Sequence, residues 1–101
     1  MNKIYSCLFL FLNAEINTML MNYLYVIKSK EGYQYIGSTT DLEKRLYEHQ
    51  NHLAGWTKRG TNWELVYFEK YETYSEARKR EKWMKTGVGR SYLKSIIGGE
   101  S

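Results

Sequence analysis

The chain has 101 residues, of which 43% are hydrophobic and 26% charged, and its formal net charge is +4. This length has room for one domain with one core, and the composition argues against an intrinsically disordered protein. The single cysteine, Cys7, excludes an intrachain disulfide and a cysteine metal cluster, so we expect a reducing, cytoplasmic location. The mild basic excess is compatible with a polyanionic partner.

Residues 1–20 differ from the rest of the chain, because Lys3 precedes a short apolar run, CLFLFL, at residues 7–12. The run is at the short limit for a signal peptide and has a poor cleavage site. It is also far below the roughly 20 residues of a membrane span, so we expect no membrane partner. We expect an N-terminal extension before a domain at residues 21–101, with Met21 the natural start or the extension dispensable. A weak signal peptide and a hydrophobic flap are the alternatives.

Residues 23–27, with the sequence YLYVI, are aromatic and β-branched, and they predict a central strand buried on both faces. The polar segment 29–32 ends in Gly32, which a tight turn favours. Residues 33–37 then predict the returning strand of a hairpin. Residues 63–68 predict a third strand, after a loop at residues 55–61.

Two capping-box patterns predict helix starts. The first, at residues 40–43, predicts a helix from Asp41 to about Leu53 with Gly55 as its stop; the second, at residues 73–76, predicts a helix that ends near Gly87. A last short helix is expected over residues 90–97. The element order predicts an α+β fold, a small three-stranded antiparallel sheet flanked by helices. At helical spacing, the first helix carries an apolar stripe of Leu42, Leu46 and Leu53, with His49 inside it and Arg45 at its edge.

Two tripeptides lie on the predicted hairpin, Tyr23-Leu24-Tyr25 and Tyr35-Ile36-Gly37. They resemble the pair of tripeptides that names the GIY-YIG nuclease superfamily. The block at residues 37–49, GSTTDLEKRLYEH, is very similar to the block that follows in that family. The likeness continues through residues 56–57, 65–67, 76–77, 80–81 and 85, and it is strongest to the small single-domain, excinuclease-like branch. The sequence departs from the name at Tyr23 and Leu24, which stand where the name has Gly and Ile.

The resemblance implies an endonuclease that hydrolyses phosphodiester bonds with a divalent metal, Mg²⁺ or Mn²⁺. We expect DNA as the substrate, with RNA as the alternative, in repair, recombination or mobile-element processes. A domain this small has little surface for reading bases, so we expect structure-selective cleavage. A nucleic-acid-binding module that does not cut, and a structural or regulatory protein that reuses the fold, are the alternative functions.

Glu81 is implied by the resemblance as the metal ligand. The sequence supports this independently, because Glu81 lies on the same helix face as Ala77 and Met84. A carboxylate on an apolar face is costly unless it is paired or coordinated. The alternative reading is an ion pair with Lys85 at i+4.

Arg45 matches the family's arginine that steadies the scissile phosphate, a task that suits a planar guanidinium. Tyr25 matches the proposed base that takes a proton from water, and Tyr35 matches the tyrosine that positions water or phosphate. Tyr23 is a second candidate for the base. For each tyrosine the alternative is a core side chain with a satisfied hydroxyl, and for Arg45 it is an aliphatic stem that covers the core.

His49 lies one turn after Arg45, so both can face one site, where His49 would shuttle a proton or orient a tyrosine; a buried core histidine is equally expected. Gly37 is expected where the strand passes close to the site or substrate, or at a bulge. Further candidate substrate contacts are Ser38, Thr39, Thr57 and Lys58, which otherwise read as helix-entry or solvated loop residues. Basic side chains after residue 77 would suit a phosphate-tracking rim or a solvated helix face; they are Arg78, Lys79, Arg80, Lys82, Lys85, Arg90 and Lys94.

Overall fold

The computed structural model describes residues 21–97, apart from the side chain of Trp56, and the predicted extension at residues 1–20 lies outside the described residues. The predicted α+β fold with a three-stranded antiparallel sheet is confirmed. In chain order the elements are β1 (Asn22–Lys28), β2 (Gln34–Thr39), α1 (Leu42–Gln50), a 3₁₀ turn (Trp56–Arg59), β3 (Glu64–Tyr71), α2 (Tyr74–Met84) and α3 (Gly87–Ile96).

The sheet has the strand order β2-β1-β3, and β1 pairs antiparallel with both neighbours. Six consecutive residues of β1, from Asn22 to Ile27, are buried, which confirms the prediction of a central strand. Tyr25 lies opposite Gly37 on one side and opposite Phe68 on the other. This register pairs the last residue of the first tripeptide with the last residue of the second.

Two cores lie on the two faces of the sheet, because successive side chains of β1 point to opposite faces. On one face Tyr23, Tyr25 and Ile27 pack with Leu42, Leu46 and Trp63, so α1 covers this face. On the other face Leu24, Val26 and Ile36 pack with Met84 and Leu93, so α2 and α3 cover that face. We call these the α1 face and the α2–α3 face.

The boundaries of α1 differ from the prediction. The capping box expected at Thr40 is wrong, because Thr40 is exposed and the Asp41 carboxylate accepts a hydrogen bond from Lys44 N at 3.1 Å. The helix ends at Gln50 and not near Leu53, because His52 adopts a left-handed φ of 61° that cannot continue a helix. Leu53 is 64% exposed, so it does not belong to the buried stripe, whereas Leu42, Leu46 and His49 do.

The capping box predicted at Thr73 and Glu76 is confirmed, since both of its hydrogen bonds are present. The next helix starts three residues before the predicted position, because the Thr86 hydroxyl accepts from Gly89 N and caps α3. Gly89 is required at this junction, since a Cβ there would lie 2.1 Å from the Trp83 carbonyl oxygen. The two helices therefore join closely, and α2 ends at Met84 instead of near Gly87. No helix within residues 21–97 has both the length and the apolar character needed to cross a membrane.

Candidate active site

The absence of a side chain at Gly37 makes room for the phenol ring of Tyr25. The two residues are opposite one another on β2 and β1. A Cβ at position 37 would lie 2.8 Å from the Tyr25 hydroxyl oxygen and 3.0 Å from the ring of Tyr35. The glycine therefore fixes where the Tyr25 hydroxyl lies, which is the close approach that the sequence analysis expected.

A chain of three buried polar side chains starts at that hydroxyl. The Tyr25 hydroxyl lies 2.8 Å from His49 Nε2, and His49 Nδ1 lies 2.8 Å from the Thr57 hydroxyl. None of the three side chains has exposed surface. Because α1 and the 3₁₀ turn both close over the sheet here, residues from three separate elements meet in one hydrogen-bonded line.

The donor and the acceptor of each of these bonds follow from Thr57, which lies at the far end of the hydrogen-bonded line. We assign the single hydroxyl hydrogen of Thr57 to the Ala54 carbonyl oxygen, 3.2 Å away, and in this arrangement Thr57 accepts from His49. This assigns the imidazole hydrogen to Nδ1. In a neutral histidine the other nitrogen is then unprotonated, so Nε2 accepts the O–H of Tyr25.

The electrostatic setting keeps this histidine neutral. Burial, together with the positive charge of Arg45, lowers the pKa of His49 to about 4. Burial and the neighbouring Tyr35 raise the pKa of Tyr25 above its ordinary value, while the charge and hydrogen bonding of Arg45 oppose that rise. At neutral pH the pair is therefore a protonated tyrosine that is hydrogen-bonded to an unprotonated imidazole nitrogen.

Two partly exposed side chains flank the buried chain. The ring centre of Tyr35 lies 4.9 Å from that of His49 and 6.1 Å from that of Tyr25. Arg45 lies one turn before His49 on α1, and its side chain is 35% exposed. Its guanidinium donates to the Glu48 carboxylate over 2.6 Å, so Glu48 is a partner that the sequence analysis did not identify.

Glu81 reaches the edge of β2 from the α2–α3 face. Its neighbours on α2, Ala77 and Met84, have no exposed surface, as the helical spacing predicted. The carboxylate accepts from the Ser38 hydroxyl at 2.6 Å and from Lys85 Nζ at 2.7 Å. Burial alone would raise the pKa of Glu81, but the hydrogen bonds from Lys85 and Ser38 outweigh burial and lower it. Glu81 is therefore an ionised carboxylate at a half-buried position.

The donor set around Glu81 fits a metal that draws most of its ligands from elsewhere. No group of three or more His, Cys, Asp or Glu side chains able to hold a metal occurs among the described residues. Mg²⁺ is commonly held by one or two carboxylates together with substrate phosphates and waters, so one glutamate is enough. Lys85 occupies one carboxylate oxygen of Glu81, and a cation that binds there has to displace it.

Strand β2 connects the two halves of the site. Tyr35 and Gly37 face α1, and Ser38 faces α2, because adjacent strand residues point to opposite faces. The charge of Glu81 contributes to the raised pKa of Tyr25, so the two halves are within electrostatic reach of each other. Four of the five side chains expected to be catalytic lie together on the α1 face, and the fifth, Glu81, lies across β2 on the α2–α3 face; the four are Tyr25, Tyr35, Arg45 and His49.

Other residues expected to contact substrate are placed differently. Tyr23 packs its ring edge-on against Phe68 of β3, on the side of β1 away from β2, so it lies apart from the Tyr25–His49 pair. The Thr57 hydroxyl is bonded to both His49 and Ala54, so it supports His49 instead of meeting substrate. The Thr39 hydroxyl accepts from Asp41 N at 3.0 Å, which is the helix-entry role given as its alternative. Lys58 is exposed in the 3₁₀ turn.

Comparison with known proteins identifies the family of this chain. The model of the GIY-YIG catalytic domain matches residues 21–92. A UPF0213 protein of Staphylococcus saprophyticus is 42% identical over 79 residues, which cover 77% of this chain and 96% of that protein. A UPF0213 protein of Clostridium perfringens is 42% identical over 66 residues, which cover 64% of this chain and 71% of that protein.

Among solved structures, the solution NMR structure of a UPF0213 protein from Bacillus halodurans is similar to this chain. It is 28% identical, the match covers 79% of this chain and 88% of that chain, and the TM-score is 0.49. The domain model spans all of the strands and the candidate site residues. The chain therefore belongs to the GIY-YIG catalytic domain family, together with small UPF0213 proteins.

Proposed function

We propose that this protein is a metal-dependent endonuclease that hydrolyses phosphodiester bonds in DNA. A GIY-YIG catalytic domain implies nuclease activity on a nucleic-acid substrate. The observation that carries the proposal is the hydrogen-bonded line Tyr25–His49–Thr57. In its assigned tautomer, His49 Nε2 carries no proton and accepts the tyrosine hydroxyl. Such a chain can take up the proton that an attacking water must lose.

In the proposed reaction the oxygen of a water attacks the phosphorus as the bond to the leaving oxygen breaks. The leaving oxygen takes a proton from solvent, to which His49 later returns the proton that it receives. The water gives a proton to the Tyr25 oxygen while the Tyr25 proton moves to His49 Nε2. The tyrosine stays neutral, which matters because burial raises its pKa and disfavours a phenolate. The imidazolium that forms keeps its Nδ1–H bond to Thr57. Thr57 is therefore a positioning residue.

Tyr25 has no exposed surface, so an attacking water has to reach its hydroxyl by displacing one of its two partly exposed neighbours, Tyr35 or Arg45. Arg45 would grip the scissile phosphate, for which it has to exchange its Glu48 partner. A phosphate bound there offsets the positive charge that lowers the pKa of His49. Substrate binding would thus raise the proton affinity of His49 when the proton has to be accepted.

Glu81 would hold the divalent metal, Mg²⁺ or Mn²⁺, with the Ser38 hydroxyl keeping the carboxylate oriented. When bound, the metal supplies charge neutralisation at the phosphate and the leaving oxygen. The surface around the site is small, which supports structure-selective cleavage in repair, recombination or mobile-element processes over strict sequence recognition.

The test is cleavage of labelled duplex, single-stranded and branched DNA, and of RNA, with Mg²⁺ or Mn²⁺. Tyr25→Phe, Arg45→Ala and Glu81→Ala are each expected to lower the rate by about 100-fold or more, as loss of a general base or a charge-stabilising group does. Tyr67→Phe is the matched control, because it also removes a tyrosine hydroxyl bonded within the domain but on the α2–α3 face. Undiminished cleavage by folded Glu81→Ala would overturn the metal assignment. A folded wild-type protein that binds DNA but cuts no substrate would favour the non-cleaving binding module.

A further inference from the structure

A groove runs along the outer edge of β2 beside the candidate active site. Its volume is about 330 Å³, and it is lined by Gln34, Tyr35, Ile36, Lys85 and Arg90. Its floor is the first half of β2, and its far wall is the junction where α2 ends and α3 begins. Because β2 is an edge strand, one side of its backbone is not paired within the sheet.

The groove is continuous with the site through two shared side chains. Tyr35 lines the groove and also contacts the ring of His49. Lys85 lines the groove and also donates to the Glu81 carboxylate. A chain-like ligand whose reactive group lies between Arg45 and Glu81 therefore has an open path into this groove.

The charge of the groove is positive. Both of its ionisable cations, Lys85 and Arg90, come from the wall, and no carboxylate lines it. Glu81 offsets Lys85, whereas the Arg90 side chain makes no ion pair or hydrogen bond within residues 21–97. Arg90 also lies in the first turn of α3, which carries no acidic residue, so the positive end of the helix dipole adds to its charge.

From this continuity and charge we propose that the groove holds the phosphate backbone of the cut strand next to the scissile phosphate, with Arg90 as its phosphate contact. The proposal rests on the proposed function for the identity of the ligand. It makes Arg90 a binding residue outside the catalytic set. It also separates Arg90 from the other basic side chains after residue 77, which do not line the groove apart from Lys85.

The test is binding of labelled DNA, followed by fluorescence anisotropy in EDTA so that no strand is cut, across a series of salt concentrations. Loss of one phosphate contact lowers the slope of log K against log salt by about 0.7–0.9. Arg90→Ala is therefore expected to bind more weakly, and its affinity should fall about threefold less than that of the wild type between 50 and 200 mM salt. Circular dichroism checks that the exposed substitution leaves the fold intact.

Lys79→Ala is the matched control, because it removes one positive charge from exposed surface on α2 about 200° around the helix from Glu81. Its salt slope is expected to equal that of the wild type. Equal changes of the salt slope in both variants would mean that net charge alone acts. An unchanged slope in Arg90→Ala would mean that Arg90 makes no phosphate contact. Either result overturns the proposal that the groove binds the phosphate backbone. Because binding is read without metal, a wild-type protein that cuts nothing contradicts the proposed nuclease and not the groove.

Discussion

Each face of the sheet holds a polar network that includes tyrosine hydroxyl groups, and the two networks differ in what they can do. On the α1 face the Tyr25 hydroxyl meets a neutral imidazole. On the α2–α3 face the hydroxyls of Tyr67 and Tyr71 both donate to the carboxylate of Glu69. One network contains an unprotonated imidazole nitrogen, and the other contains a carboxylate that is already paired with a cation.

The pairing at Glu69 is complete. Arg80 donates Nε to one carboxylate oxygen at 2.9 Å and Nη2 to the other at 3.2 Å. The same guanidinium lies 4.4 Å from the ring centre of Trp83 and 5.2 Å from that of Tyr92. Burial alone would raise the pKa of Glu69, but the bonds from Arg80 and the two tyrosines lower it, and the pKa of Tyr71 rises to about 12.

The comparison teaches how a similar set of residues is divided between folding and chemistry. Protonating Glu69 would break a bidentate ion pair, so this network resists gaining a proton. Protonating His49 breaks no bond to Thr57, because Nδ1 keeps its hydrogen. The Glu69 network therefore joins β3 to α2 and α3, while the Tyr25–His49 network is arranged to receive a proton.

The largest expected effect comes from breaking the structural network with Arg80→Ala. Removing one partner of a buried ion pair costs about 3–5 kcal/mol, and partial exposure of this pair brings the expected loss of unfolding free energy to about 2–3 kcal/mol. Cleavage per folded molecule should stay near the wild-type rate, because the Arg80 guanidinium is bonded to Glu69 and not to Glu81, its neighbour along α2. Urea unfolding and cleavage well below the melting temperature measure the two quantities.

Lys79→Ala is the control on the same helix, where loss of an exposed lysine is expected to change stability by less than about 0.5 kcal/mol. A large loss of cleavage in folded Arg80→Ala would show that the two networks are not separate.

Gly37→Ala on the α1 face is expected to lower stability by a smaller amount and to lower cleavage as well. The added methyl would lie 2.8 Å from the Tyr25 hydroxyl oxygen, so the phenol has to move away from His49. Overpacking of this kind costs about 1–3 kcal/mol of stability. Because the Tyr25–His49 bond is lost as well, cleavage should fall towards the level of Tyr25→Phe.

Gly55→Ala is the matched control, since a Cβ at position 55 meets nothing within 4 Å and the backbone there is right-handed helical. Wild-type cleavage by Gly37→Ala, with its unfolding free energy unchanged, would contradict the position assigned to the Tyr25 hydroxyl.

The sequence predicted those features that depend on the residue pattern within one element. The buried run of β1 is predicted by its aromatic and β-branched composition without polar alternation, and the inward position of Glu81 on α2 by helical spacing; both are found in the structure. Pairing between elements was less accessible. Arg80 was grouped with a phosphate-tracking rim, but Glu69, on a neighbouring strand, holds its guanidinium instead. Thr57 was expected in a solvated loop or at substrate, because nothing in its neighbourhood shows that the 3₁₀ turn folds back under His49.

The smallest effect separates the two networks by pH. The folded-state pKa of His49 is about 4, below its unfolded value of 6.5, so the unfolded chain binds the extra proton and stability falls as pH drops between these values. His49 should therefore cost about 1 kcal/mol of unfolding free energy between pH 7 and pH 5.5. The lowered pKa of Glu69 acts in a more acidic window, where stability falls as the carboxylate is forced to protonate.

Urea unfolding at a series of pH values measures the unfolding free energy in both windows, and His49→Gln should flatten only the upper window. His52→Gln, at the exposed histidine, is the matched control. If the unfolding free energy of the wild type is already flat between pH 7 and pH 5.5, His49 is not held neutral. The unprotonated Nε2 that the proposed reaction needs beside Tyr25 would then be absent.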